Sequence, residues 1–265
     1  MYIHSSSVCG FLESFEEYIS QYSSPKIETS VIGSLIFVIK EKQLAFHLLE
    51  IGKYKLTENT ILDIANYYQS QNIQLINIWE DIWYTKNKQL KSIIKVKLGY
   101  CEKIFARKTT IVKLCKPEFD AFINENHLMG TTFSKYKYGL ELNGNLVAAA
   151  SFAHIRKYYH SAGVYNSSEL VRYASKLDAI VTGGLSKLIS FFFNEKHPDN
   201  IMTYADKDWS NGKAYKLLGF VEQEQTPPKK FIVDKQTFLR TPTNEDTAEN
   251  MVYNTGNIKL YCHFN

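Results

Sequence analysis

The chain has 265 residues, 45% hydrophobic and 22% charged, which excludes a wholly disordered chain, a collagen and a disulfide miniprotein. No window holds 18 uncharged apolar residues, and the N-terminus lacks a basic segment followed by an apolar one, so neither a membrane span nor a secretory signal is predicted. The net charge of +4 conceals a segregation: residues 1–84 carry 5 Lys/Arg against 10 Asp/Glu, residues 85–160 carry 14 against 5, and residues 161–265 carry 12 of each.

Apolar residues at helical spacing predict a helix over 11–23, closed by the turn signal Ser23-Ser24-Pro25-Lys26. VIGSLIFVIK (31–40) and QLAFHLLEIG (43–52) read as strands. Residues 57–71 read as a helix, 73–83 begin as a strand, and 88–99 form a basic amphipathic helix. KIFARKTTIVKL (103–114) reads as one strand and residues 116–127 as a helix with Pro117 in its first turn. Residues 138–155 form a hairpin around Asn143-Gly144. SELVRYAS (168–175) is a strand, followed by the Gly183-Gly184 turn and the helix 185–195. NIMTYAD (200–206) is a strand, SNGKAYKLLGF (210–220) a helix ending at Gly219, and FIVD (231–234) a strand. The fold class is α/β with a mixed sheet.

A glycine pair between strand and helix lets backbone approach a ligand, and the first-turn amides then hold anionic oxygens. Val181, Thr182, Gly183, Gly184, Leu185, Ser186 and Lys187 supply such a turn with a hydroxyl and an ammonium. The same glycines also meet the steric needs of any strand–helix turn. Asp206 and Ser210 lie at a strand end, where α/β sites gather, although Ser210 equally suits a helix N-cap. Glu169 is a candidate base, or an ion-pair partner of Arg172. His127 precedes Gly130 at a helix end, where capping explains it. Trp79 and Trp83 read as core. Arg107, Lys108, Arg156 and Lys157, interleaved with Tyr136, Tyr138, Tyr158 and Tyr159, fit phosphates and stacked bases, so DNA is a candidate partner; solvated surface cations are the alternative. The cysteines Cys9, Cys101, Cys115 and Cys262 form no CxxC pair and read as free thiols of a reducing cytoplasm.

NGKAYKLLGF resembles the last motif of the GNAT acetyltransferase superfamily, often Ala-x-x-Leu-Tyr-x-x-x-Gly-Phe. The resemblance implies that Tyr215 protonates a departing thiolate and that residues 181–187 hold the pyrophosphate of acetyl-CoA or a related acyl-CoA. Packing of Tyr215 on the sheet is the competing reading. Ile180 stands where Arg or Gln is usual, and Leu185 where a second small residue is usual.

The ordered segments IWEDIW (78–83), IFARK (104–108), NHLMGT (126–131), SFAHIRK (151–157), ELVRYASKL (169–177), VTGGLSKL (181–188), YADKDWSNGKAY (204–215), LGF (218–220) and TGNIKLY (255–261) resemble a group of phage-borne proteins of homing-endonuclease type. In that group a domain similar to very-short-patch repair endonucleases precedes an acetyltransferase-like domain, itself similar to phage proteins that modify DNA adenine. The nuclease half departs: Ile36 and His47 stand where the group carries metal-binding carboxylates. Glu50, three residues past His47, falls on the other side of a strand. The resemblance thus implies a degenerate restriction-endonuclease-like domain over 1–100 and no metal. An acetyltransferase-like domain covers 101–265, with the tail 241–265 packing back on it. The expected function is a DNA-associated acyltransferase acting on an amine. The alternatives are a non-catalytic nucleic-acid-binding protein and an endonuclease with relocated ligands such as Glu50 or Asp81.

Overall fold

A computed structural model describes residues 10–160, 163–245 and 249–263; Cys9 lies outside them. The chain runs α1 (Phe11–Ser20), β1 (Lys26–Thr29), β2 (Leu35–Ile39), β3 (Leu44–Leu49), α2 (Glu58–Ser70), β4 (Gln74–Trp79), α3 (Glu80–Thr85) and α4 (Asn87–Leu98). It continues with β5 (Glu102–Phe105), β6 (Thr110–Lys113), α5 (Lys116–Asn126), β7 (Tyr136–Leu142), β8 (Asn145–Phe152), β9 (Arg156–His160), β10 (Gly163–Ser175), β11 (Ala179–Thr182) and α6 (Gly184–Lys196). It closes with β12 (Asn200–Asp206), α7 (Lys213–Lys216), β13 (Val221–Gln225), β14 (Lys230–Val233), β15 (Arg240–Pro242), β16 (Met251–Tyr253) and β17 (Asn257–His263). Two compact units result. One takes the chain up to Asn87 and Pro228–Thr255; the other takes Lys88–Pro227 and the chain from Gly256 onward. The expected boundary near residue 100 therefore falls earlier. Most of the expected tail joins the first unit, because β15 and β16 pair with β14 and this small sheet packs Val233, Val252 and Tyr253 against Leu49, Ile61 and Trp79.

In the second unit one mixed sheet has the order β13-β17-β12-β10-β8-β7-β6, with β9 paired to β10. The alanine run Ala148–Ala150 lets helices pack closely on both faces of β8. On one face α5 brings Phe119, Phe122 and Ile123 against Ala149 and Ala174. On the other, α6 buries Leu188 and Phe192, the latter stacked on Phe152 at 4.0 Å. The expected single strand over 103–114 is broken. Residues 106–108 form a 3-10 turn, β5 pairs in parallel with β11, and β6 joins the large sheet. Strands β9 and β11 were not expected, and the helix expected over 210–220 is only the four residues of α7.

In the first unit the sheet order is β1-β2-β3-β4, antiparallel except for the parallel pair β3–β4. Helix α1 places Phe11, Phe15 and Ile19 on one buried stripe, and Phe15 meets Phe37 at 5.2 Å and Trp83 at 5.4 Å. Trp79 Nε1 donates to the Tyr253 carbonyl (2.9 Å), and Arg240 grips the buried Asp81 carboxylate through Nε and Nη2 (2.5 and 2.9 Å).

Ile36 and His47 are direct cross-strand partners. His47 is fully buried inside a directed polar chain. Ser30 Oγ accepts the Ser34 N–H (3.2 Å) and bonds Ser34 Oγ (2.6 Å); Ser34 Oγ meets His47 Nε2 (2.6 Å), and His47 Nδ1 meets Asn77 Oδ1 (3.0 Å). An amide oxygen only accepts, so Nδ1 carries the proton and Ser34 donates to Nε2. Burial holds the imidazole down at about 4, against the upward pull of the Asn77 bond. The unfolded chain therefore binds this proton more readily than the folded one between pH 6.5 and about 4. Stability is full above that window and falls as pH drops through it, by roughly 3 kcal/mol in all. Urea titrations at pH 7, 5.5 and 4 should show this loss, and His47→Gln should remove that share of it.

Candidate active site

The chemistry-bearing geometry is a fork in the large sheet. β10 and β12 run parallel, paired at Ser167–Asn200, Ser168–Ile201 and Glu169–Met202. Beyond Glu169 the two strands part: β10 continues along β8 to Ser175, and β12 along β17 to Asp206. The cause lies in the β8–β10 ladder, where Leu170 pairs with Phe152 and Arg172 with Ser151, leaving Val171 as an extra residue. A bulge bends its strand and sharpens its twist, which turns β10 away from β12.

Two hydroxyls line the throat of the fork. Thr203 Oγ1 donates to the Leu170 carbonyl (3.1 Å), and the Tyr215 phenol lies near the Thr203 hydroxyl. Tyr215 sits on α7, partly buried, with its ring 5.7 Å from Phe220. Burial pushes its pKa above the usual phenol value and the Thr203 hydroxyl partly offsets this. Tyr215 therefore carries its proton at neutral pH, as a proton donor must.

Strand alternation separates Glu169 from this hydroxyl side. Leu170 joins the core beneath α6, and the neighbouring Glu169 faces the opposite side of the sheet. Glu169 is half-buried; burial raises its pKa, opposed by Arg172 and Arg156. Arg172 Nε donates to the Gly130 carbonyl (2.9 Å). His127 is held at about 4 by burial and by the Arg172 charge; its Nδ1 accepts the Met129 N–H (3.1 Å), so it is neutral.

The glycine turn lies at the start of α6. Gly183 has φ +77° and caps the helix, and the first intrahelical bond runs from the Lys187 N–H to its carbonyl (3.0 Å). The amides of residues 184–186 precede that bond and have no intrahelical partner. The Tyr173 phenol lies against the start of α6, near the Leu185 amide. Gly184 permits this: a Cβ there would lie 2.8 Å from Tyr173 Oη and 2.9 Å from Val181 Cγ1. Thr182 and Gly183 are exposed, Ser186 is half-buried, and Val181 is core, so only its backbone reaches the turn.

Lys187 is not an outward-facing cation. Its Nζ donates to the carbonyls of Ala106 (2.9 Å) and Thr109 (2.5 Å), tying the 106–108 turn to α6. Asp206 and Ser210 also do structural tasks. Asp206 Oδ1 accepts the Asp208 N–H (2.9 Å), its carbonyl accepts the Ser210 N–H (2.9 Å), and Ser210 Oγ accepts the Gly212 N–H (3.1 Å). Both shape the loop that delivers Tyr215 to the fork. Arg107 and Lys108 are exposed beside the glycine turn; Arg156 and Lys157 are exposed on β9. Tyr158 stacks on Tyr165 at 5.5 Å.

Sequence reasoning missed Thr203, Tyr173 and the bulge at Val171. Thr203 had one signal, a hydroxyl in the buried register of NIMTYAD. Among the described residues no group of three or more His, Cys, Asp and Glu is placed to hold a metal, and no helix is long and apolar enough to cross a membrane.

No family model matches the chain, and no curated protein matches it. Similar solved structures are acetyltransferases. One from Corynebacterium glutamicum has a TM-score of 0.38 at 13% identity, covering 58% of this chain and 95% of that chain. A GNAT family enzyme from Elizabethkingia anophelis, with acetyl-CoA bound, has a TM-score of 0.37 at 14% identity, covering 59% and 99%. A Bacillus subtilis acetyltransferase in complex with CoA has a TM-score of 0.37 at 16% identity, covering 59% and 99%.

The throat is testable without any ligand. Thr203→Val keeps the shape but strips the Leu170 carbonyl of its partner. Chemical denaturation should show a loss of about 1–3 kcal/mol.

Proposed function

We propose that the second unit is an acyltransferase that moves an acyl group from an acyl-CoA donor to an amine. The observation that carries this reading is the fork: two parallel strands part at a bulge, with a protonated phenol on one side and a half-buried carboxylate on the other. The glycine turn fits such a donor. Thr182 and Gly183 are exposed, and the Gly184 and Ser186 amides point the helix's positive end toward phosphate oxygens. The holding groups are these backbone amides and not Lys187. Acyl-CoA, when bound, supplies an activated thioester.

Glu169 takes the proton that the attacking amine loses. Burial raises its pKa toward the working range, which makes it a better base than an exposed carboxylate. The bulge backbone at Val171 polarises the acyl carbonyl, and Tyr215 gives its phenolic proton to the leaving sulfur. The nearby Thr203 hydroxyl partly offsets the rise that burial gives the phenol's pKa, which eases release of that proton. An acceptor carried on DNA is a second reading, favoured by Arg156 and Lys157 on β9 beside the Tyr158–Tyr165 stack.

Acetyl-CoA should raise the melting temperature in a concentration-dependent way; no rise across a millimolar range would sink the reading. With an amine acceptor panel and thiol release as readout, Tyr215→Phe should keep acetyl-CoA binding and lose roughly 10²–10⁴ in kcat. The wild-type rate should fall as pH drops through the raised Glu169 pKa, and Glu169→Gln should abolish that acidic limb. For the DNA reading, replacing Arg156 and Lys157 by alanine should weaken duplex binding and flatten its salt dependence.

A further inference from the structure

The parallel ribbon of β5 and β11 has one buried and one open face. Ile104 and Val181 are paired and buried; Lys103 with Ile180, and Phe105 with Thr182, are paired and exposed. Phe105 is a 43% exposed phenyl ring directly beside the residue that enters the glycine turn. Ala106 touches the turn itself, since a Cβ on Gly183 would lie 3.6 Å from its methyl. The Arg107 guanidinium lies over the Phe105 ring at 5.2 Å. Lys108 follows on the same 3-10 turn, which Lys187 fastens to α6 through Ala106 and Thr109. Among the described residues, Lys103, Arg107 and Lys108 have no carboxylate partner. An exposed ring beside a guanidinium, flanked by cations without a carboxylate partner, suits a planar base with phosphates.

We propose that Phe105, Arg107 and Lys108 form the subsite for the nucleotide end of the donor: the purine stacks on the Phe105–Arg107 platform, and Arg107 and Lys108 pair with its 3′-phosphate. This rests on the acyl-CoA reading of the fork. It assigns Arg107 and Lys108 to the donor and not to DNA, because the β5–β11 register sets them beside the glycine turn. Lys187 is the positioning residue: its three-way hold on the turn keeps the platform in register with α6.

Calorimetric titration of the whole chain with acetyl-CoA and with 3′-dephospho-acetyl-CoA tests the assignment. Wild type should prefer acetyl-CoA by about tenfold or more. The double variant Arg107→Ala with Lys108→Ala should lose that preference, and Phe105→Ala should weaken both ligands several-fold. All three side chains are exposed, so unchanged melting temperatures check that the variants fold. Failure of wild type to bind either ligand overturns the acyltransferase reading itself. Binding of both ligands with equal affinity, or a preference that survives the double variant, overturns only the nucleotide subsite. So does a double variant that keeps acetyl-CoA affinity while losing duplex DNA.

Discussion

One extra residue in β10 organises the second unit. Leu170 and Arg172 take adjacent partners on β8, so Val171 is squeezed out of the ladder and β10 turns off the line of β12. Backbone groups that lose a sheet neighbour need other partners. Thr203 supplies one by bonding the Leu170 carbonyl at the point of divergence. Everything of chemical interest is arranged about that point. Tyr215 stands near it on α7, Tyr173 runs from β10 to Gly184 at the start of α6, and Glu169 sits two residues before Val171 on the other face.

The glycine pair and Lys187 serve this arrangement in ways that residue type alone does not reveal. Gly184 is required because the Tyr173 phenol occupies the space of a side chain. Lys187 reads as a phosphate-binding ammonium one turn into a helix. Three oxygens of the 106–109 segment claim it instead. The consequence is exchange of roles: the inner cation becomes structural, and the exposed cations it secures, Arg107 and Lys108, become the outward charges.

In the first unit, the buried β2–β3 ladder holds a neutral imidazole. His47 faces Ile36 across the ladder and is enclosed by Ser34 and Asn77. A fully satisfied polar chain of this kind is stable only while every donor finds its acceptor. That makes His47 a group tuned to stay uncharged, held down by burial.

Local pattern was sufficient for most elements. NIMTYAD spans β12 without error because its alternation and flanking turns are strong, and residues 116–127 match α5 because Pro117 marks its first turn. The Tyr215–Phe220 segment, the Gly183–Gly184 turn and Glu169 were all legible as residues to examine. Their mutual placement was not. The break of 103–114 into β5, a turn and β6 depends on a lysine some eighty residues away, and β11 exists only because β5 offers it an edge. The return of Pro228–Thr255 to the first unit depends likewise on distant core partners, with Val233 and Val252 packed among Leu49, Ile61 and Trp79. Periodicity records which side of an element is apolar, and that is a property of neighbouring residues. A bulge, a fork and the partner of a buried ammonium are set by contacts between distant segments, so only tertiary structure decided them.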